Sequence, residues 1–136
     1  MFDKLDNWVN FHSQALNVRE TRQNILAANI ANGDTPNYQA RDIDFKAELT
    51  KAIKNQGNVN NIALHTTSNH HIQISMPMPT NQNLLYRIPY QASADGNTVE
   101  MDQERTVFID NSIHYQSNLT FLSEQFKNVM SVLQQG

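Results

Sequence analysis

Two long periodic runs of apolar positions flank a stretch that is almost entirely polar. In the first run Leu5, Val9, His12, Leu16, Arg19, Gln23, Leu26 and Ile30 recur at alternating spacings of four and three, and Trp8, Phe11, Ala15, Val18, Arg22, Ile25 and Asn29 form a second seam of the same period. A repeat of about 3.5 residues marks helices that pack along their length. Two adjacent seams make a wide stripe able to meet more than one neighbour. The spacing predicts a helix over residues 3–32, capped by Asp3 or Asp6, with no Gly or Pro before Gly33. At 1.5 Å per residue it is about 45 Å long, more than a small globule easily covers. Its polar breaks at His12, Arg19 and Gln23 cost stability but can fix register. In the last run Met101, Arg105, Phe108, Ser112, Tyr115, Leu119, Leu122, Phe126, Val129 and Leu133 keep the four-three spacing, interrupted only by Arg105 and Ser112. This predicts a second long helix from about Asp102 to Gln134, packed lengthwise or as an antiparallel hairpin.

Between the runs the chain reads as a turn and then short extended pieces. Ala27, Ala28 and Ala31 permit close backbone approach. Gly33 stands where a left-handed residue is expected to end the helix. Asp34 suits an Asx turn, Thr35 before Pro36 is pushed toward extended backbone, and Asn29 and Asn32 are placed to satisfy groups at the helix end. Ile43 and Phe45 alternate with Asp42 and Asp44. Phe45, Leu49, Ala52 and Ile53 then line a short helix, with Asp44 as N-cap and Gly57 past its end. The Asn-rich span to MPMPTNQN reads as loop, with a strand at His71 to Ser75. Leu84 to Pro89 reads as a second strand, and Asp95-Gly96-Asn97 as a turn. The whole is a mainly α chain: a coiled-coil-like pair of terminal helices (1–33 and 101–136), a turn with an extended segment and short helix (34–57), and a polar loop and β-hairpin region (58–100).

Composition narrows what such a chain can do. Among 136 residues, 39% are hydrophobic and 17% charged, and the mean hydropathy is -0.58. Apolar stripes on so polar a chain point to burial against neighbours. A net charge of -3 argues against non-specific nucleic-acid binding, which needs a basic patch. No run approaches the roughly 18 apolar residues of a membrane span. The start, MFDKLDNWVNFHSQ, lacks the basic, apolar and small-residue regions of a conventional secretory signal. Cysteine is absent, which removes thiol chemistry and disulfides.

Candidate chemistry is thin. His65, His70 and His71 cluster without acidic neighbours and read better as polar loop residues than as metal ligands. Glu100, Asp102, Glu104 and Asp110 contain carboxylate pairs of the kind used in glycoside hydrolysis. Most lie at a helix start, where acids favour the helix dipole. Trp8 and Phe11 could anchor a membrane surface, but their place on the heptad stripe favours packing. No nucleotide-binding loop or nucleophile elbow is present. Nothing argues for catalysis, a cofactor or a metal.

The segment ANIANGDTPNYQARDIDF, Ala28 to Phe45, resembles the N-terminal signature of the bacterial flagellar axial proteins, the rod, hook and hook-associated proteins. The form TPNYQARDIDF is similar to the proximal-rod (FlgB) family. The resemblance recurs at LHTTSNHHI (Leu64 to Ile72), LLYRIPYQ (Leu84 to Gln91) and DGNTVEMDQERTVFIDNSIHYQSNLTFL (Asp95 to Leu122), so it spans nearly the whole chain. Gly33-Asp34 departs from the more common Ala-Asp. The resemblance implies a structural subunit, not an enzyme. Such a subunit is exported without a cleaved signal peptide and assembles helically across the periplasm, where its terminal helices form the inner tube. Copies of itself, other rod proteins and the export-gate adaptor FliE are its implied partners. It also implies termini that order on assembly. On this reading Trp8, Phe11, Leu16, Ile25, Leu26, Ile30, Phe108, Tyr115, Leu119, Leu122, Phe126 and Val129 pack between subunits, and Asn29, Asn32, Thr35, Pro36, Tyr38, Arg41 and Asp44 shape the turn. The other readings are a second axial protein of the proximal rod, a soluble helical adaptor or export chaperone, and a rod-associated hydrolase using Glu100 or Glu104.

Overall fold

A computed structural model describes residues 2–55 and 83–134. The histidine cluster, the LHTTSNHHI block, Gly57 and the strand expected at His71 to Ser75 lie outside the described residues. Five elements follow one another: α1 (Phe2–Ala31), β1 (Arg41–Ile43), α2 (Phe45–Asn55), β2 (Leu84–Tyr86) and α3 (Met101–Gln134). The long helices start and stop within a residue of the periodicity's prediction. Uninterrupted heptads propagate a helix, and the first strong breakers lie just past Ala31.

α1 and α3 run antiparallel. Trp8 lies against Phe121, His12 bonds Asn118, Arg19 bonds Asn111 and Asn29 bonds Glu104. This register carries the last turns of α3 past the start of α1, where Met130, Val132 and Leu133 are exposed. β1 and β2 pair antiparallel, Arg41 opposite Tyr86 and Ile43 opposite Leu84. The strand before Asp95-Gly96 therefore pairs with the segment after the first turn, not across that turn. α2 packs on α1, and the Arg19 guanidinium lies 4.0 Å over the Phe45 ring. Asp44 caps α2 as expected, its Oδ1 accepting from the Lys46 and Ala47 amides at 3.0 and 3.1 Å.

Among the described residues only Ala15, Val18, Leu26, Ala40 and Ile43 are buried apolar side chains, and as many polar ones are buried: Asn29, Glu48, Asn97, Glu104 and Asn111. Every buried polar side-chain atom among the described residues has a hydrogen-bond partner. A satisfied polar interior of this kind is demanding, because each orphaned group would cost about 1–3 kcal/mol. It specifies geometry more than it adds stability.

Candidate functional site

The turn after α1 is built by asparagine, not glycine. The helix closes with the Asn32 amide on the Ala28 and Asn29 carbonyls and the Gly33 amide on Ile30, while Asn32 Nδ2 returns to the Ala28 carbonyl at 2.8 Å. Gly33 does not take the expected left-handed conformation; the positive-φ residues among those described are Asn37, at 60°, and Gly96, at 75°. Gly33 is small for a different reason. A Cβ there would come within 2.7 Å of Met101 Sδ, where α3 begins. The left-handed residue comes four positions later. Thr35-Pro36-Asn37-Tyr38 closes with the Tyr38 amide on the Thr35 carbonyl at 3.3 Å. Proline in the second position and a positive-φ asparagine in the third make it a type II turn. Asp34 does not form the expected Asx turn; it is exposed, and Asn32 Oδ1 instead accepts from Thr35 Oγ1.

A second strand of backbone locks this turn. Asn97, 5% exposed, brings its side-chain amide within 3.0 Å of the carbonyls of Asn32, Gly33 and Thr35, and its Oδ1 accepts from Val99. Around it the Asn37 amide donates to the Asp95 carbonyl and Thr98 to Tyr38. The Ala40 amide donates to Thr98 Oγ1 at 2.7 Å. The Asp95-Gly96-Asn97 signal adjoins a real turn one to two residues earlier, Ser93 to Gly96, closed by the Gly96 amide on the Ser93 carbonyl. Its larger task is to hold the turn after α1 from the far side of the sequence. Asn97 was missed as a functional position because no local pattern pairs it with residues more than sixty positions earlier.

Asn29 carries the turn's other anchor. Fully buried, it donates to the Arg41 carbonyl at 2.6 Å and accepts from the Arg41 amide at 3.1 Å, so one side chain completes both backbone bonds of a missing strand neighbour. Its Nδ2 also meets Glu104 Oε2 at 3.1 Å, and its Oδ1 accepts from the Tyr38 hydroxyl at 3.3 Å. Glu104, 1% exposed, pairs with Arg87 at 3.2 Å. Arg87 pairs with Asp42 at 2.6 Å, and Asp42 takes a bidentate pair of bonds from Arg22, both 2.9 Å. Burial alone would push the Asp42 carboxyl upward. The Arg22 bonds, the Ile43 amide and Arg87 outweigh it and hold it below the usual carboxylate range. The same pair raises Arg22. One ionic chain thus ties α1, β1, the segment after β2 and α3 together. Glu104 is bound up in it. Glu100 accepts from the Tyr90 and Gln91 amides.

The apolar residues proposed for subunit packing divide. Leu26 is wholly buried inside the chain. Trp8, Leu16, Ile25, Ile30, Phe108, Tyr115, Leu122 and Val129 are half-buried. Phe11 (44%), Leu119 (41%) and Phe126 (47%) are exposed. The face of α3 turned to α1 is not quite the predicted seam. Phe108, Tyr115, Leu122 and Val129 belong to both, but the alternate positions are Glu104, Asn111, Asn118 and Gln125 instead of Arg105, Ser112, Leu119 and Phe126. Leu119, Leu122, Phe126 and Met130 consequently line an open groove of about 600 Å³ on the outside of the pair. A second groove of about 340 Å³ gathers Ile25, Ala28, Tyr38, Arg41 and Leu84 between α1 and the turn. No helix among the described residues is long and apolar enough to cross a membrane.

Residues 10–39, the second part of α1 and the turn just described, match the family model described as flagella basal body rod protein. The whole chain is also similar to curated proteins named flagellar basal body rod protein FlgB. It is 53% identical to that of Proteus mirabilis (strain HI4320) and 54% to that of Yersinia ruckeri, each over 100% of both chains. It is 53% identical to that of Escherichia coli (strain K12), over 100% of this chain and 99% of the relative. The chain belongs to the FlgB family of flagellar basal body rod proteins. Membership makes it a structural subunit of the rod, and the family match covers the Asn29, Asn32 and Tyr38 scaffold. The grooves accordingly belong to a protein whose relatives are named for the flagellar basal body rod.

Proposed function

We propose that this chain is a proximal-rod subunit that assembles helically through the outward faces of α1 and α3, and that it has no catalytic role. The observation that carries the reading is the division of labour on α3. Its side toward α1 alternates Phe108, Tyr115, Leu122 and Val129 with the polar Glu104, Asn111, Asn118 and Gln125, while Leu119, Phe126 and Met130 face outward on a groove. An apolar stripe that its own partner helix leaves open is a surface for another chain. A surface on one subunit docking on a different surface of the next gives a filament when the operation does not close. Trp8, Phe11, Leu16, Ile25, Ile30, Phe108, Tyr115, Leu122 and Val129 flank the stripe and complete the packing. Leu26 supports it from inside. The partners are copies of this chain, other rod proteins and, at the base, the export-gate adaptor FliE. The assembled rod crosses the periplasm, conveys torque and surrounds the export channel, and the subunit reaches it without a cleaved signal peptide.

The test is Leu119→Ser with Phe126→Ser in cells that lack the wild-type gene. Swimming and rods in isolated basal bodies should both be lost, while the purified chain keeps its helicity. Normal swimming by this variant would overturn the reading.

A further inference from the structure

α3 offers α1 two possible faces. Both include Phe108, Tyr115, Leu122 and Val129. One adds Glu104, Asn111, Asn118 and Gln125; the other lies one residue on, about 100° around the helix for those positions, and adds Arg105, Ser112, Leu119 and Phe126. In the distal half of the helix the second face is far more apolar, and hydrophobic burial alone would turn it inward. The structure turns the first inward.

The reason lies in a ladder of polar rungs repeating at the heptad. Asn111 is fully buried. Its amide donates to the Arg19 carbonyl at 2.9 Å and to Gln23 Oε1 at 2.6 Å, and its Oδ1 accepts from Arg19 Nη1 at 3.2 Å. Gln23 Nε2 donates to Ser112 Oγ at 2.6 Å. One heptad along, His12 Nδ1 donates to Asn118 Oδ1 at 2.8 Å, and the Asn118 amide lies 3.5 Å from the His12 carbonyl. One heptad the other way, Glu104 accepts from Asn29. Each rung pairs a side chain of α1 with its complement on α3. With α3 rotated, His12 would face Leu119 in place of Asn118, and the bonds of Asn111 to Arg19 and Gln23 would go unmade; the Gln23–Ser112 bond lies toward the second face and does not choose between the two.

We propose that these rungs are a rotation and register lock. They hold α3 at the angle that keeps Leu119 and Phe126 outside, against the burial that would draw them in. A single polar residue at a seam position is known to select one helix arrangement among several, and here three successive heptads do so together. The inference concerns contacts within one chain, so it stands or falls independently of what meets the outward face.

The absence of cysteine allows single thiols to report the rotation. Leu119→Cys and Gln125→Cys sit on the two competing faces, and neither position bears a rung. In the otherwise native full chain, maleimide should label Cys at 119 at least about threefold faster than at 125. Replacing the α1 side of the ladder, His12→Leu with Arg19→Leu and Gln23→Leu, should reverse that order while far-UV circular dichroism stays at or above the native helicity. Three results overturn the lock: equal labelling at 119 and 125 in the native background, an unchanged order in the leucine variant, or loss of helicity in that variant. The last would mean that the rungs hold the helices together without choosing their rotation.

Discussion

Where α1 ends and α3 begins, the chain is tied by Asn97 on three carbonyls, by Asn29 on the Arg41 backbone and by the Arg22–Asp42–Arg87–Glu104 chain of charges. At the opposite end of the same helix pair, Trp8, His12 and Phe121 make one small ring cluster, with Trp8 and Phe121 centroids 5.9 Å apart. Beyond it α3 runs on with Met130, Val132 and Leu133 exposed. The first end draws its contacts from four elements of one chain and leaves no buried group unpaired. The second presents hydrophobic area with little to cover it. The difference teaches that the turn is a finished joint, and that the distal half of α3 gains most from a partner.

This contrast can be broken from either side. The largest effect is expected at the distal end, where Leu119→Ser with Phe126→Ser should abolish swimming yet cost the purified chain only about 1–2 kcal/mol, because each side chain is about half covered. At the joint the order reverses, and the cost appears in the isolated chain. Asp42→Asn leaves Arg22 largely buried without its counter-charge, and leaves Arg87 with Glu104 alone. Urea unfolding should show a loss of about 3 kcal/mol, at the low end for breaking a buried ionic group because the site is partly solvated. Asn97→Ala, which uncaps three carbonyls from across the chain, should cost about 2 kcal/mol in the same measurement.

Acid sharpens the same point. The Asp42 carboxyl is held below its ordinary value. Its contribution is therefore complete above the unfolded value of about 4 and fades as pH falls through the lower folded value. Thermal melts between pH 7 and 5 should show little change from this group, and melts below pH 4 a progressive loss that Asp42→Asn no longer shows. The smallest effect separates two glycines. Gly96→Ala meets both a positive φ and Asn37 Oδ1 at 2.7 Å, and should cost about 1–2 kcal/mol. Gly33→Ala meets the Met101 Sδ at 2.7 Å, on a flexible side chain, and the Ile30 carbonyl only at an ordinary 3.4 Å, and should cost less than about 1 kcal/mol. Equal costs at the two sites would return Gly33 to the left-handed role its position suggested.

What could be read along the chain was whatever depends on neighbours in sequence. The helix bounds followed from unbroken heptads, the α2 cap from Asp44 before Phe45, and the type of joint from an asparagine-rich, proline-containing segment. The family was legible for the same reason, since the TPNYQARDIDF block fixes a local conformation. Leu26 was harder. Its seam position suits packing between chains or within one, and only the arrival of β1 and α3 beside it decides that it is wholly enclosed. Glu104 read as a dipole-favouring acid at a helix start, and it does stand there. Its charge partner Arg87 comes from the segment following β2, which no spacing within α3 could announce.

By itself, then, the sequence determined two long helices, their approximate limits and a turn at the end of the first, because backbone propensity, capping and periodicity act over a few residues. Tertiary structure alone decided which face of α3 turns inward. Phe108, Tyr115, Leu122 and Val129 satisfy the heptad equally well on either face. The choice falls to bonds such as Asn111 to Gln23 and Asn118 to His12, between side chains roughly ninety to a hundred residues apart. The consequence is an apolar stripe left on the outside, which periodicity alone would have assigned to the seam.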